Sequence, residues 1–205
     1  FMQDSCLNNF VKYCESQNKI FKRALDVGAW CGTWSNAMQK FCKNITAFEP
    51  DKTNFECLQK NMGPFNHVTC NRLAIGDKLC NVSLTQESAT QNTRIEKESG
   101  DVEMFTIDYW NYNDVDMIKI DVEGYEYRVL AGAQETIMKY KPLLFLEIHS
   151  HLLNLYDNTV FDVYNILNDY KYKIFDIHMR EVKSKEQYAW LFNNKAEIRV
   201  ICRRN

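Results

Sequence analysis

The chain has 205 residues, 45% hydrophobic and 25% charged, with a formal net charge of −2; this excludes disordered and fibrous classes and predicts one globular domain over 1–205. Its basic residues are scattered, with Arg203 and Arg204 only a solvated tail, so no footprint for a phosphate backbone is expected and nucleic acid is excluded as a partner. No apolar run approaches the roughly 20 residues that cross a bilayer, and Phe1 to Cys6 lack the basic-then-apolar order of a signal peptide, so no membrane partner and a cytoplasmic location are expected.

An amphipathic pattern over 5–17 predicts a helix within an N-terminal part, 1–20. A core over 24–149 follows. Ala24 to Gly28 predicts a first buried strand ending in glycine, then a helix through about Phe41. Ile45 to Glu49 is the second strand, stopped by Pro50, and Lys52 to Asn61 has helical spacing up to Gly63-Pro64. His67 to Asn71 is the third. Residues 79–84 and 101–106 read as strands around a polar stretch, 86–100, expected to be a loop that acts as a lid or binds the acceptor. Met117 to Asp121 is the fourth core strand, followed by a helix over Glu126 to Lys139, and Leu143 to His149 is the fifth. In the C-terminal part, 150–205, a helix near Val160 to Leu167 leads to a strand from Tyr172 to Ile177. A closing hairpin is expected, with arms Tyr188–Phe192 and Glu197–Cys202 turning at Asn193-Asn194. Alternating strands and helices of this kind predict a doubly wound, mainly parallel α/β sheet with a C-terminal antiparallel hairpin. The eight cysteines lack zinc-type spacing and read as reduced core residues. Asn44-Ile45-Thr46 and Asn81-Val82-Ser83 match a glycosylation sequon, to which no function is assigned.

Four segments carry chemistry. Leu25-Asp26-Val27-Gly28-Ala29-Trp30-Cys31-Gly32 runs from a buried strand into a glycine turn, which lets bare backbone approach a ligand at the strand's carboxyl end. Glu49 closes the second strand, about 20 residues beyond Gly28, where a carboxylate meets a ribose diol. Nicotinamide dinucleotides and S-adenosylmethionine both offer that diol. The loop lacks the middle glycine that a pyrophosphate needs, and it opens with Asp26, which suits an aminoacyl ammonium better. The third segment ends the fourth strand with Asp121 and Glu123, and the fourth ends the fifth strand with Glu147 and His149. If those strands are neighbours, Asp121 and His149 converge, and the histidine is placed as general base for an acceptor hydroxyl. A divalent metal on Asp121, Glu123 and His149 is the variant; the favoured expectation is no metal.

In this order the four segments resemble the FkbM family of S-adenosylmethionine-dependent methyltransferases, over roughly Ala24 to His149. Most specific is Ile118-Lys119-Ile120-Asp121-Val122-Glu123-Gly124-Tyr125-Glu126, and Thr106-Ile107-Asp108 resembles a further family element. The resemblance implies a class I, Rossmann-like fold with S-adenosylmethionine as cofactor. By it Asp26, Gly28, Ala29 and Gly32 hold the aminoacyl end, Glu49 the ribose, Ala74 and Ile75 the adenine side, and Asp121 the methyl region. It also implies O-methylation of a hydroxyl on a sugar or small metabolite, for which His149, Asp121 and Glu123, placed by their strand ends, are the expected catalytic group. Trp30 and Trp34 are less typical of the family's first loop. The rival readings are a non-catalytic S-adenosylmethionine-binding module and a nicotinamide-dependent oxidoreductase.

Overall fold

A computed structural model describes residues 5–85 and 93–204. In chain order its elements are α1 (Ser5–Ser16), β1 (Phe21–Val27), α2 (Thr33–Met38), β2 (Cys42–Phe48), α3 (Lys52–Met62), β3 (Val68–Asn71), β4 (Ala74–Ile75), β5 (Cys80–Leu84) and β6 (Ile95–Phe105). There follow β7 (Val115–Ile120), α4 (Glu126–Ala131), α5 (Gln134–Tyr140), β8 (Leu143–His149), α6 (Ser150–Leu153), α7 (Val160–Asp169), β9 (Lys173–Asp176), β10 (Glu181–Val182), α8 (Lys185–Leu191) and β11 (Glu197–Arg203).

The central sheet has the order β10-β9-β11-β8-β7-β1-β2-β3. From β3 to β8 every pairing is parallel. Such a sheet must be covered on both faces, and the period of two along its strands shows how. Ala24, Ile45, Met117 and Phe145 face Phe10 of α1 and Trp34 and Met38 of α2. Their neighbours Leu25, Ile118, Leu144 and Leu146 face Val129 and Leu130 of α4, Ile137 of α5, and Val163 and Leu167 of α7. The Trp34 ring lies tilted 4.3 Å from Phe145 and edge-on 5.0 Å from Phe10, so it packs the core beneath the first loop. The chain steps one way through β2 and β3 and the other way through β7 and β8, which opens a crevice at the carboxyl ends of β1 and β7.

The expected antiparallel strands are present at the C-terminus, but with other partners. The arm expected over Tyr188–Phe192 is helical: Ser184 caps α8 by accepting the Gln187 N–H, and Tyr188 and Phe192, one turn apart, pack together at 5.3 Å. β11 instead inserts between β8 and β9, antiparallel to both. Part of the stretch expected to loop is also regular. From Ile95 it is β6, paired antiparallel with β5 in a separate small sheet β4-β6-β5, while residues 86–92 of the expected lid lie outside the described residues. Residues Glu96 to Asp101 are exposed on β6, so this strand carries almost no apolar alternation to read.

The helix expected over Glu126 to Lys139 breaks at Gly132, where any Cβ would collide with the Gly76 carbonyl. Asp108, from the second family-like segment, restarts it by accepting the N–H groups of Glu135 and Thr136, each at 2.9 Å. The helix after the first loop ends at Met38, short of Phe41. Of the cysteines, Cys14, Cys42 and Cys202 are buried; Cys31, Cys70 and Cys80 are half-buried, and Cys57 is exposed, so the core reading holds for only some. Among the described residues no helix is long and apolar enough to cross a membrane.

Candidate active site

One wall of the crevice is the turn after β1. Gly28 has φ +75, and a Cβ there would collide with the Asp121 carbonyl oxygen, so the loop sits directly on the end of β7. The N–H groups of Gly28 and Ala29 both donate to the Phe48 carbonyl, at 3.1 and 3.0 Å, which ties the turn to the end of β2. Gly28, Ala29 and Trp30 line the crevice. Gly32, at φ +92, lies at the start of α2 against Leu58 and Met62 and holds the turn from behind.

Glu49 follows β2 and lines the crevice, 5% exposed. Its two oxygens accept the Trp30 N–H at 2.8 Å and the Asp51 N–H at 3.0 Å. Burial pushes its carboxyl up to about 7, although those two donors pull the other way. Each oxygen has a second lone pair left for a hydroxyl donor. Phe48, Leu73, Ala74 and Ile75 supply an apolar slot beside it.

Asp26, expected to face an aminoacyl ammonium, is instead wholly buried below the crevice. Ser35 donates to its Oδ2 at 2.6 Å, and its Oδ1 lies 3.3 Å from Lys119 Nζ. A carboxylate at the end of a strand points to one face or the other, and here it points into the layer of α2. The reading of the sequence missed Lys119. This lysine, 2% exposed, donates to the Gly28 carbonyl at 2.6 Å and stands 3.4 Å from Asp121 Oδ2. Burial works against its charge, but Asp121, Asp26 and Glu147 outweigh that and hold its pKa above the ordinary lysine range. Its signal was available: a lysine in the otherwise apolar Met117-Ile118-Lys119-Ile120 demands buried acidic partners.

At the other end of the crevice β7 and β8 are paired, and Asp121, Glu123 and His149 do come together. His149 Nε2 lies 3.5 Å from Glu123 Oε1, 4.0 Å from Asp121 Oδ1 and 3.6 Å from Glu197 Oε2 of β11. Its Nδ1 is 2.9 Å from Oε1 of the buried Glu126, a partner the sequence reading also missed. Its signal was a second acid three residues after Glu123, at the first position of the following helix. Glu147 Oε2 is held by Arg199 at 2.7 Å. Burial alone would lower the His149 pKa, but the bond to Glu126 and the carboxylates of Glu126, Glu123 and Asp121 raise it to about 9. Burial pushes Glu123 up to about 7, with His149 opposing. The acids around His149 therefore draw positive charge into this end of the crevice.

A model of the FkbM methyltransferase domain matches residues 26–174. A search among curated proteins returns no match. Among solved structures, a methyltransferase FkbM from Methylobacillus flagellatus KT superposes with a TM-score of 0.54 at 19% identity, covering 89% of this chain. This chain spans 43% of that one. An rRNA methylase from Streptococcus thermophilus gives 0.57 at 8% identity, over 100% of this chain and 99% of its own. The N-methyltransferase NodS from Bradyrhizobium japonicum WM9 gives 0.53 at 8%, with the same coverage. At these identities the solved structures speak to the class I methyltransferase fold alone, while the domain match runs from the end of β1 to the start of β9 and takes in Gly28, Glu49, Asp121, Glu123 and His149: the chain belongs to the FkbM methyltransferase family.

Proposed function

We propose that the protein transfers a methyl group from S-adenosylmethionine to a hydroxyl of a sugar or other small metabolite. The observation that carries this reading is the meeting, in one crevice, of a nucleoside-shaped half and a proton-accepting half. Glu49 and the Gly28 turn form the first; Asp121, Glu123 and His149 form the second. The donor set suits this cofactor. Glu49 offers acceptors to a diol, Phe48, Leu73 and Ile75 offer an apolar slot to a purine, and the carboxylates of the far end suit a cationic sulfur. A nicotinamide dinucleotide is not favoured: the turn has Trp30 at φ +49 where a pyrophosphate would need a further glycine.

When bound, the cofactor supplies an electrophilic methyl with a good leaving group, so the protein's task is alignment and removal of one proton. Glu49 and the backbone of Gly28 fix the nucleoside. Lys119 holds both the Gly28 carbonyl and Asp121, so the two halves keep a fixed separation. The acceptor hydroxyl lies against Asp121, Glu123 and His149, which position it for loss of its proton.

The test is turnover with isotopically labelled S-adenosylmethionine and a panel of sugars and small hydroxyl compounds. O-methylated product is expected, and His149→Ala should lose about 100-fold or more in turnover while binding the cofactor as wild type does. Methylation of amines but of no hydroxyl would overturn the acceptor class. Near-normal turnover of His149→Ala on the true acceptor would remove the cluster from the chemistry.

A further inference from the structure

We infer that Asp121, Glu123 and His149 form a binding site for one divalent metal ion, with Glu126 orienting the histidine. His149 is 3% exposed, and its two ring nitrogens meet opposite surroundings. Nδ1 faces Glu126 Oε1 at 2.9 Å, an oxygen that also accepts the Gly124 N–H at 3.0 Å. Glu126 is thus an acceptor, and the ring places a proton on Nδ1. The Nε2 lone pair of the neutral ring then points at groups that also only accept: Glu123 at 3.5 Å, Glu197 at 3.6 Å and Asp121 at 4.0 Å. Among the described residues Nε2 makes no hydrogen bond, since such bonds close to about 2.7–3.2 Å. A proton there reaches only one oxygen at a time, whereas three carboxylates border the gap. A nitrogen that lines the crevice and faces several carboxylate oxygens across a gap suits a larger cation within it.

The gap has the right width. Two ligand atoms each about 2.1 Å from an ion lie about 3.0 Å apart at a right angle, about 3.4 Å at the tetrahedral angle and about 4.2 Å when opposed. The 3.5 and 4.0 Å separations fall in that span, and the three ligand atoms all lie within 4.8 Å of one another. Asp121 divides its oxygens, with Oδ2 toward Lys119 and Oδ1 toward the gap. Glu123 reaches it from a left-handed backbone, φ +52, a conformation that costs energy in a non-glycine residue and that clusters at functional sites. A rival set, Glu147, His149 and Glu197, shares the histidine, but Arg199 already neutralises Glu147 at 2.7 Å.

Two carboxylates and one imidazole suit manganese, iron or zinc better than calcium, and they leave positions open toward the crevice. A carboxylate on the far nitrogen of the ring, here Glu126, is the usual support of a metal-bound histidine. The part this ion plays in turnover rests on the proposed methyl transfer. A hydroxyl bound to it becomes more acidic, so its proton can leave to water or to the half-exposed Glu197. The site itself needs no turnover.

The experiment is titration of Mn2+ into the chelator-stripped full chain, with free ion followed by electron paramagnetic resonance and nitrogen coupling to the bound ion by spin echo. One saturable site with imidazole nitrogen coupling is expected. Glu123→Gln should weaken it at least about tenfold, Glu126→Gln by about 10–100-fold, and His149→Gln should also abolish the nitrogen signal. Each variant is checked for folding by circular dichroism and by its affinity for S-adenosylhomocysteine. Absence of saturable Mn2+ binding to the wild type at millimolar ion would overturn the inference, as would affinity unchanged in both Glu123→Gln and His149→Gln. The nucleoside titration keeps the two readings apart. Mn2+ binding without nucleoside binding would sink the methyl-transfer reading and leave the ion site standing, and the reverse result would do the opposite.

Discussion

Lys119→Met removes the charge beneath the crevice while keeping the length and apolar stem of the side chain. Lys119 is 2% exposed, and its ammonium touches the Gly28 carbonyl at 2.6 Å, Asp26 at 3.3 Å and Asp121 at 3.4 Å. Asp121 is partly exposed and can be rehydrated. Asp26 is wholly buried and would be left with only the Ser35 hydroxyl as partner. Removing one member of a buried pair costs about 3–5 kcal/mol, because the other is left uncompensated. At about 2–4 °C per kcal/mol for a domain of this size, melting should fall by roughly 6–20 °C. Urea unfolding gives the free energy directly, with an unchanged m value showing that the native state is still compact. Adding Asp26→Asn removes the stranded charge and should recover part of the loss, a coupling of about 1–3 kcal/mol. A Lys119→Met protein within about 1 kcal/mol of wild type would refute the reasoning.

Four further outcomes are expected. Glu49 must be charged to accept from a diol and burial holds its carboxyl at about 7, so cofactor affinity should rise with pH through about 7 and then level off, by calorimetry, with Glu49→Gln flattening the profile. The same raised pKa means that its contribution to the stability of the ligand-free protein is present below the ordinary carboxylate range and is lost as pH rises through about 7, which differential scanning of wild type against Glu49→Gln checks. Gly28→Ala combines a left-handed φ with a collision against Asp121 and should cost more than about 4 kcal/mol in chemical unfolding; a loss below about 1 kcal/mol would mean that the loop does not rest on β7. Asp108→Ala removes the two bonds that restart α5 and should cost about 1–2 kcal/mol without changing cofactor affinity.

The parallel core was legible because β1, β2, β7 and β8 carry short, mainly apolar segments that lead up to Gly28, Glu49, Asp121 and His149, so the strand ends and the residues at the crevice could be read together. What the sequence hid follows from pairing and orientation. Tyr188 to Phe192 alternates loosely enough to pass for a strand, and only the Ser184 cap and the one-turn spacing of its rings mark a helix. The start of β6 has polar residues on both faces and gives no period. Asp26 looks like a ligand-facing charge in one dimension, and Lys119 signals only its need of a buried acid. Their neutralisation of one another is a contact between neighbouring strands, which no local pattern encodes. Likewise Glu126 reads as the first helical residue after the fourth strand, whereas its carboxylate turns back to fix His149.

If the crevice between the Gly28 turn and Glu49 is the methyl-donor site, calorimetric titration of S-adenosylmethionine into wild type and Glu49→Ala will show it. Saturable binding of one molecule per chain is expected, weakened by about 1–3 kcal/mol in the variant through loss of a charge-assisted acceptor. Equal affinity in the two proteins, or no binding to the wild type, would contradict the account.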